Sequence, residues 1–265
     1  MVRALIAGWK EASLIDVKGA VTLTIWFCRC NLRCPFCHNW RLAEADPQVC
    51  REVEVRDALA PLIRSAARYA DYVHLSGGEP LTQAEAVGEV FSIAREAGVP
   101  TSLNTNLTLP HKLAPLLKAG LVDHVATDVK YPWDVMTGLS GRAASAVRAA
   151  FIRGLREVCE GGAALELRFP VARGVPAEGI VAEASALAPI LGRCVGRVYV
   201  VVNPIIGPPL ANVRDVGWCE ERCWPDEGVL EEVAEGLREV LGVKVYVNRV
   251  KGGAAVREAR AARGG

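Results

Sequence analysis

Short apolar, β-branched runs alternate with longer stretches in which apolar positions recur at helical spacing, along almost the whole chain. The runs at 21–27 (VTLTIWF), 72–77 (YVHLSG), 100–106 (PTSLNTN), 124–130 (HVATDVK), 164–171 (ALELRFPV), 197–205 (RVYVVVNPI) and 244–250 (KVYVNRV) predict strands. The stretches 55–70, 82–98, 111–120, 143–161, 177–192 and 227–242 predict helices, the first with a candidate break at Pro61. Several of these helices end on a glycine, where a left-handed cap is expected. An unbroken run such as VYVVV is what a strand buried on both faces requires.

Six strand–helix units followed by a seventh strand imply a parallel sheet with right-handed crossovers. Six are too few to close the eight-fold barrel. The expected fold is therefore α/β: a partial (β/α)6 barrel, an open parallel sheet with outer helices, with its chemistry at the C-terminal strand ends. The rival is a doubly wound sheet, and the lack of a glycine-rich dinucleotide fingerprint after the first strand weighs against it. No internal repeat beyond the unit and no low-complexity linker stand out. One domain over 1–250 is expected, with 251–265 (KGGAAVREARAARGG) as a short basic tail.

Composition narrows the function classes. The net charge of +1, from 31 basic and 30 acidic side chains, argues against binding nucleic acid or a membrane surface through charge. The start, MVRALIAGWKEASLIDVKG, does not read as a signal peptide, and no apolar run reaches transmembrane length, so a cytoplasmic location is expected. Gln occurs only at 48 and 83 and Met only twice, which leans toward a thermophile.

The nine cysteines are odd in number and uneven in spacing. Cys28, Cys30, Cys34 and Cys37 form one group and Cys219 and Cys223 a pair, while Cys50, Cys159 and Cys194 stand alone. In a chain of this size clustered cysteines point to metal or redox chemistry rather than to a secreted disulfide framework. Cys30, Cys34 and Cys37, spaced CxxxCxxC in the loop after the first strand, can hold three corners of a 4Fe–4S cluster and leave the fourth iron open. A closed zinc site would want a fourth ligand. His38 is poorly placed beside Cys37, and Cys28, at the end of the strand, reads as a buried inert thiol. Cys219 and Cys223 share a helical face; they lack partners for a second cluster, and a disulfide is one reading.

The stretch CNLRCPFCHN (30–39) resembles the cluster loop of the radical S-adenosylmethionine (radical SAM) superfamily. The resemblance implies a partial radical SAM barrel in which three cysteines bind a 4Fe–4S cluster. SAM chelates the open iron and is cleaved reductively to methionine and a 5′-deoxyadenosyl radical. Gly77, Gly78, Glu79 and Pro80 resemble the superfamily's GGEP motif, whose backbone and acid meet the SAM ammonium. Glycines there let the backbone approach a ligand, and a carboxylate can accept a charge-assisted bond.

SLNTN (102–106), TDVK (127–130) and SLIDVKG (13–19) are similar to the activating enzymes of glycyl-radical proteins, including those of anaerobic ribonucleotide reductase and pyruvate formate-lyase. This similarity places Asn104, Thr105, Asn106 and Asp128 near SAM, with Asp128 and Lys130 as candidate catalytic residues facing the partner's glycine loop. The bland alternative for Asp128 and Lys130 is a surface ion pair. Strand alternation would put both on one face, as it would Glu166 and Arg168, and an inward Arg168 would suit the SAM carboxylate. Phe36 is expected against the adenine and Asn203 near the adenine or ribose. Three positions depart from the pattern. Asn104 stands for an Asp, which puts a monovalent cation in doubt; Leu107 and Arg29 stand for glycines. His74, His111 and His124 read as ordinary core or surface residues. The implied partners are a glycyl-radical enzyme and an electron donor such as ferredoxin or flavodoxin. A radical SAM enzyme acting on a small molecule, and a non-enzymatic iron–sulfur electron carrier, are the alternatives.

Overall fold

The computed structural model of the chain describes residues 1–250; the expected basic tail lies outside the described residues. Seven strands form the parallel core: β2 (Thr22–Phe27), β4 (Tyr72–Gly77), β5 (Thr101–Asn104), β6 (His124–Asp128), β7 (Ala164–Val171), β8 (Val198–Pro204) and β9 (Lys244–Val247). They are the strands that the apolar runs predict. Two more, β1 (Arg3–Ser13) and β3 (Arg51–Glu54), extend the sheet on the β2 side as antiparallel neighbours.

The strand order is β3-β1-β2-β4-β5-β6-β7-β8-β9. From β2 onward each parallel strand lies beside the next parallel strand in sequence, so the order of the parallel strands never reverses. A doubly wound sheet needs such a reversal to make its ligand crevice, and that rival is excluded. The sheet is the wall of an open, partial barrel.

Helices α2 (Val55–Ala66), α3 (Ala84–Glu96), α4 (Pro110–Lys118), α6 (Gly141–Gly161), α7 (Ala177–Leu191) and α9 (Glu227–Leu241) make the crossovers. Their apolar faces join the outward-facing strand residues, among them Leu23, Ile25, Phe27, Val73, Leu75, Val125, Leu165 and Val200, in one buried cluster. Pro61 does not break α2, which runs through it. Three short helices complete the described residues: α1 (Trp40–Ala43), α5 (Trp133–Thr137) and α8 (Val216–Arg222). No described helix is long and apolar enough to cross a membrane.

The six remaining cysteines pair as Cys28–Cys50, Cys159–Cys194 and Cys219–Cys223. Cys28 is buried, as expected, but it is not a free thiol. Strand β1 pairs with β2 on one side and β3 on the other, and Cys50, just before β3, comes to a Cα–Cα distance of 6.2 Å from Cys28, within disulfide reach.

Candidate active site

Cys30, Cys34 and Cys37 are the only free cysteines of the nine in the chain. All three line one cavity of about 280 Å³ at the C-terminal ends of the parallel strands. Burial is the main influence on each thiol and pushes all three up, Cys30 to about 11. Such thiols stay protonated at neutral pH unless a metal displaces the proton. Among the described residues no three His, Cys, Asp or Glu side chains converge on a single metal ion. Three thiols of one loop, spread around a shared cavity, could instead each take a separate corner of an iron–sulfur cluster.

The loop is held by backbone contacts that explain its glycine neighbours. Gly78 N donates to Phe27 O at 2.8 Å and Glu79 N to Arg29 O at 2.8 Å, tying the end of β4 to the end of β2. A Cβ on Gly77 would sit 2.2 Å from Phe27 O, and one on Gly78 2.1 Å from Arg29 O. Only glycine permits this approach. Gln83 reinforces it: its side chain accepts from Leu5 N and donates to Leu5 O and Cys28 O at 2.7, 3.0 and 2.9 Å.

Gly77, Gly78, Asn104, Thr105, Asn106, Asp128, Lys130, Asn203 and Phe36 line the same cavity. Glu79 does not. Its carboxylate is buried and accepts from Leu81 N (3.0 Å), Thr105 Oγ1 (2.8 Å) and Asn106 N (2.6 Å). Three of its acceptor positions are thus taken, two by the end of β5 and one by the turn that follows Glu79. Pro80 opens the single 3₁₀ turn that follows and is likewise buried away from the cavity. Asn104 donates to Ser76 Oγ at 2.9 Å, and Asn106 to Asn31 Oδ1 of the cysteine loop at 2.9 Å.

Asp128 and Lys130 form an ion pair of 3.1 Å at the mouth. Burial alone would raise the Asp128 carboxyl, but the Lys130 ammonium and the Arg168 guanidinium overcome it and hold it below the usual carboxylate range. Burial opposes the charge on Lys130 too, and Asp128 restores it. Arg168 is not part of the cavity lining. Its guanidinium donates to Glu166 Oε1 at 2.5 Å and to Asp16 O at 2.6 Å, deeper in the barrel. These bonds engage Nε and one hydrogen of Nη2, on the side of the guanidinium turned into the barrel.

Below Arg168 a buried polar chain crosses the barrel. Tyr199 OH donates to Glu166 Oε2 at 2.7 Å, so its oxygen accepts from His124 Nε2 at 3.0 Å. With the proton on Nε2, His124 Nδ1 accepts from Ser102 Oγ at 2.8 Å, and Ser102 in turn accepts from His74 Nδ1 at 2.8 Å. This leaves His74 Nε2 as a buried, unpartnered acceptor. Both imidazoles are kept neutral, mainly by burial, with His74 pushed down to about 3 and His124 to about 4. Both histidines are buried core residues, and together they form the lower layer of the barrel.

Residues 206–223, which have no legible pattern, brace the cysteine loop from outside the cavity. Arg214 Nη1 donates to Cys34 O at 3.1 Å, Asp215 N donates to Pro35 O at 3.0 Å, and Trp218 packs on Phe36 with ring centroids 5.9 Å apart. His38 Nε2 donates to Ile206 O at 2.9 Å, and Asn39 donates to Gly77 O at 3.1 Å.

The family model described as the Radical SAM superfamily matches residues 24–163. Among curated proteins, one of Methanocaldococcus jannaschii, provisionally named a glycyl-radical enzyme activating enzyme, is 34% identical over 133 residues, 50% of this chain and 53% of that one. A pyruvate formate-lyase-activating enzyme of Clostridium pasteurianum is 31% identical over 111 residues, 40% of this chain and 44% of its own. The chain spans about half the length of the curated relatives it matches. Among solved structures, that of TYW1 with a lysine-pyruvate adduct bound superposes with a TM-score of 0.51 at 13% identity, over 82% of this chain and 73% of that one, a likeness of fold.

Proposed function

The chain belongs to the radical SAM superfamily, and we propose that within it the protein is an activating enzyme that takes a hydrogen from a backbone glycine of a glycyl-radical enzyme. The observation that carries the reading is the division of the cysteines: six are paired, and the three left free line one cavity opposite Gly77 and Gly78. A 4Fe–4S cluster with SAM supplies reductive cleavage to a 5′-deoxyadenosyl radical. Cys30, Cys34 and Cys37 would hold the cluster. The backbone of Gly77 and Gly78 and the side chains of Asn104, Thr105 and Asn106 would receive SAM, between Phe36 and Asn203. Glu79 acts through these residues by fixing the Asn106 backbone.

The protein substrate rests on the names of the relatives and on the mouth of the cavity. There Asp128 and Lys130 present a charge pair, half-exposed on the acid side, to whatever enters. A glycine loop offers N–H and C=O groups that such a pair can bind and orient. The electron would come from a low-potential carrier such as ferredoxin or flavodoxin.

The test is anaerobic reconstitution with iron and sulfide, reduction by dithionite, and addition of SAM with a glycyl-radical protein from the same organism. The expected results are 5′-deoxyadenosine, methionine and an electron paramagnetic resonance doublet on the partner that fades in Asp128→Ala while the cluster signal survives. Turnover of a small metabolite with no radical on any such partner would favour a small-molecule radical SAM enzyme. A reduced, cluster-replete protein that leaves SAM intact would favour an electron carrier.

A further inference from the structure

Residues 206–223 leave the barrel after β8 and return to it, the two ends joined where Trp224 N donates to Ile205 O at 2.8 Å. This strap lies outside the segment matched by the family model. Within it Cys219 and Cys223 are joined by a disulfide. Gly207 packs so close beneath it that a Cβ there would sit 2.1 Å from Cys219 Sγ.

The strap delivers one cation to the cysteine loop. Arg214 is largely buried, its side chain 13% exposed. Of its donors Nη1 is bonded to Cys34 O, but Nε and Nη2 are buried with no hydrogen-bond acceptor among the described residues. Nε lies 3.3 Å from Glu44 Oε1 without hydrogen-bond alignment, and that same oxygen accepts from Arg33 Nη2 at 2.8 Å. A buried guanidinium with two idle donors is costly unless an acceptor meets it. Its bond to Cys34 O seats it against the cysteine loop, whose three free thiols line the cavity together with Lys130 and Asp128. The thiols become thiolates, hence acceptors, once they bind metal.

We propose that Arg214 is a cluster-tuning residue: its fixed charge and free N–H groups, held by the strap against the Cys30–Cys34–Cys37 loop, stabilise the reduced cluster and raise its reduction potential. The inference rests on the cluster reading above. Reduction adds one electron, supplied by a low-potential one-electron donor, and lowers the net charge of the cluster by one. A neighbouring cation favours that state, and hydrogen bonds to the sulfurs act in the same direction. Glu44, as the countercharge of Arg214, opposes it.

The test is a redox titration with dithionite, followed by electron paramagnetic resonance, on reconstituted full-length protein assayed for iron and sulfide. Wild type is compared with Arg214→Gln, Arg214→Lys and Glu44→Gln. In Arg214→Gln the ratio of reduced to oxidised cluster at the wild-type midpoint should fall about tenfold, a shift of ~59 mV for one electron. Arg214→Lys, which keeps the charge and loses the fork, should shift less. Glu44→Gln should shift the midpoint upward, a sign that a merely structural effect does not produce. A cluster-replete Arg214→Gln with the wild-type midpoint overturns the inference. If Arg214→Gln loads no cluster, an unmoved or lowered midpoint in Glu44→Gln overturns it. Wild-type protein that takes up no iron and sulfide overturns instead the cluster reading.

Discussion

Glu79 Oε2 accepts the backbone N–H of Asn106 at 2.6 Å, across the gap between the ends of β4 and β5. Its other oxygen takes Thr105 Oγ1 and Leu81 N. Burial pushes this carboxyl up, and the three donors, with the Lys130 charge, act against that push. The acid is thus a brace for the cavity wall. Glu79→Ala strands these donors in the interior and should cost about 3 kcal/mol, since each unsatisfied buried group costs roughly 1–3 kcal/mol. The urea midpoint should fall, and SAM affinity with it, through displacement of Asn106. If affinity collapses while the urea midpoint stays at the wild-type value, Glu79 acts on the ligand directly.

The cysteine division predicts a sharp asymmetry. Cys30→Ala, Cys34→Ala and Cys37→Ala should each abolish uptake of about four irons and four sulfides, the content of one such cluster. Cys28→Ala should retain it, because Cys28 is bound to Cys50 and does not line the cavity. Iron and sulfide analysis after anaerobic reconstitution decides; loss of the cluster in Cys28→Ala alone would reassign the ligands.

What the sequence made legible follows from burial. Strands β2 and β4 through β8 are covered on most of their length, so their apolar runs stand out, and CxxxCxxC at the end of β2 is readable by spacing alone. Strand β1 hides because its burial alternates only over its first residues; a register shift falls between Ile6 and Gly8, and exposed positions follow. Strand β3 has no buried residue. Gln83 and Arg214 act on atoms distant in sequence, at Leu5 and Cys34, and no local pattern announces such contacts. Glu79 was found by its motif, but which way its carboxylate turns depends on the end of β5.

Arg29 and Leu107 stand where the resemblance expects glycine, and the backbone there adopts φ of +73° and +57°. A side chain at such a φ costs roughly 1–2 kcal/mol. Arg29 is exposed, so Arg29→Gly should relieve that strain and, after the larger entropy of the unfolded glycine, leave a gain of about 0.5 kcal/mol. Leu107 is fully buried and packs at Gly154, where a Cβ would lie 2.3 Å from Leu107 O. Leu107→Gly should therefore destabilise by about 3 kcal/mol through the cavity it leaves. Thermal unfolding of the two variants should move in opposite directions; a rise in both would mean that strain outweighs packing at Leu107.

The buried chain His74–Ser102–His124–Tyr199–Glu166 predicts how the fold responds to acid. Glu166 remains ionised because the Arg168 guanidinium, the Tyr199 hydroxyl and the Lys18 N–H outweigh its burial. The donors in the chain therefore all run toward it; a second proton on His124 Nδ1 would break its bond from Ser102, and one on His74 Nε2 would be a buried charge with no acceptor. Unfolded, both take a proton near pH ~6.5; folded, His124 does so only near 4 and His74 near 3. Between these values the unfolded chain binds more protons than the folded one, so stability falls as the pH drops below about 6.5 and is fully present above it. The slope is about 1.4 kcal/mol per pH unit for each histidine. Urea unfolding of the metal-free protein at about pH 7.5 and about pH 5 should show a loss of about 2 kcal/mol per histidine over that interval, in addition to any carboxylate contribution. His74→Gln/His124→Gln, which keeps a polar group at each site without a titrating one, should start less stable at the higher pH and lose less on acidification. An acid response equal to that of the wild type would mean that the histidines are already protonated in the fold, and the direction assigned to the chain would be wrong.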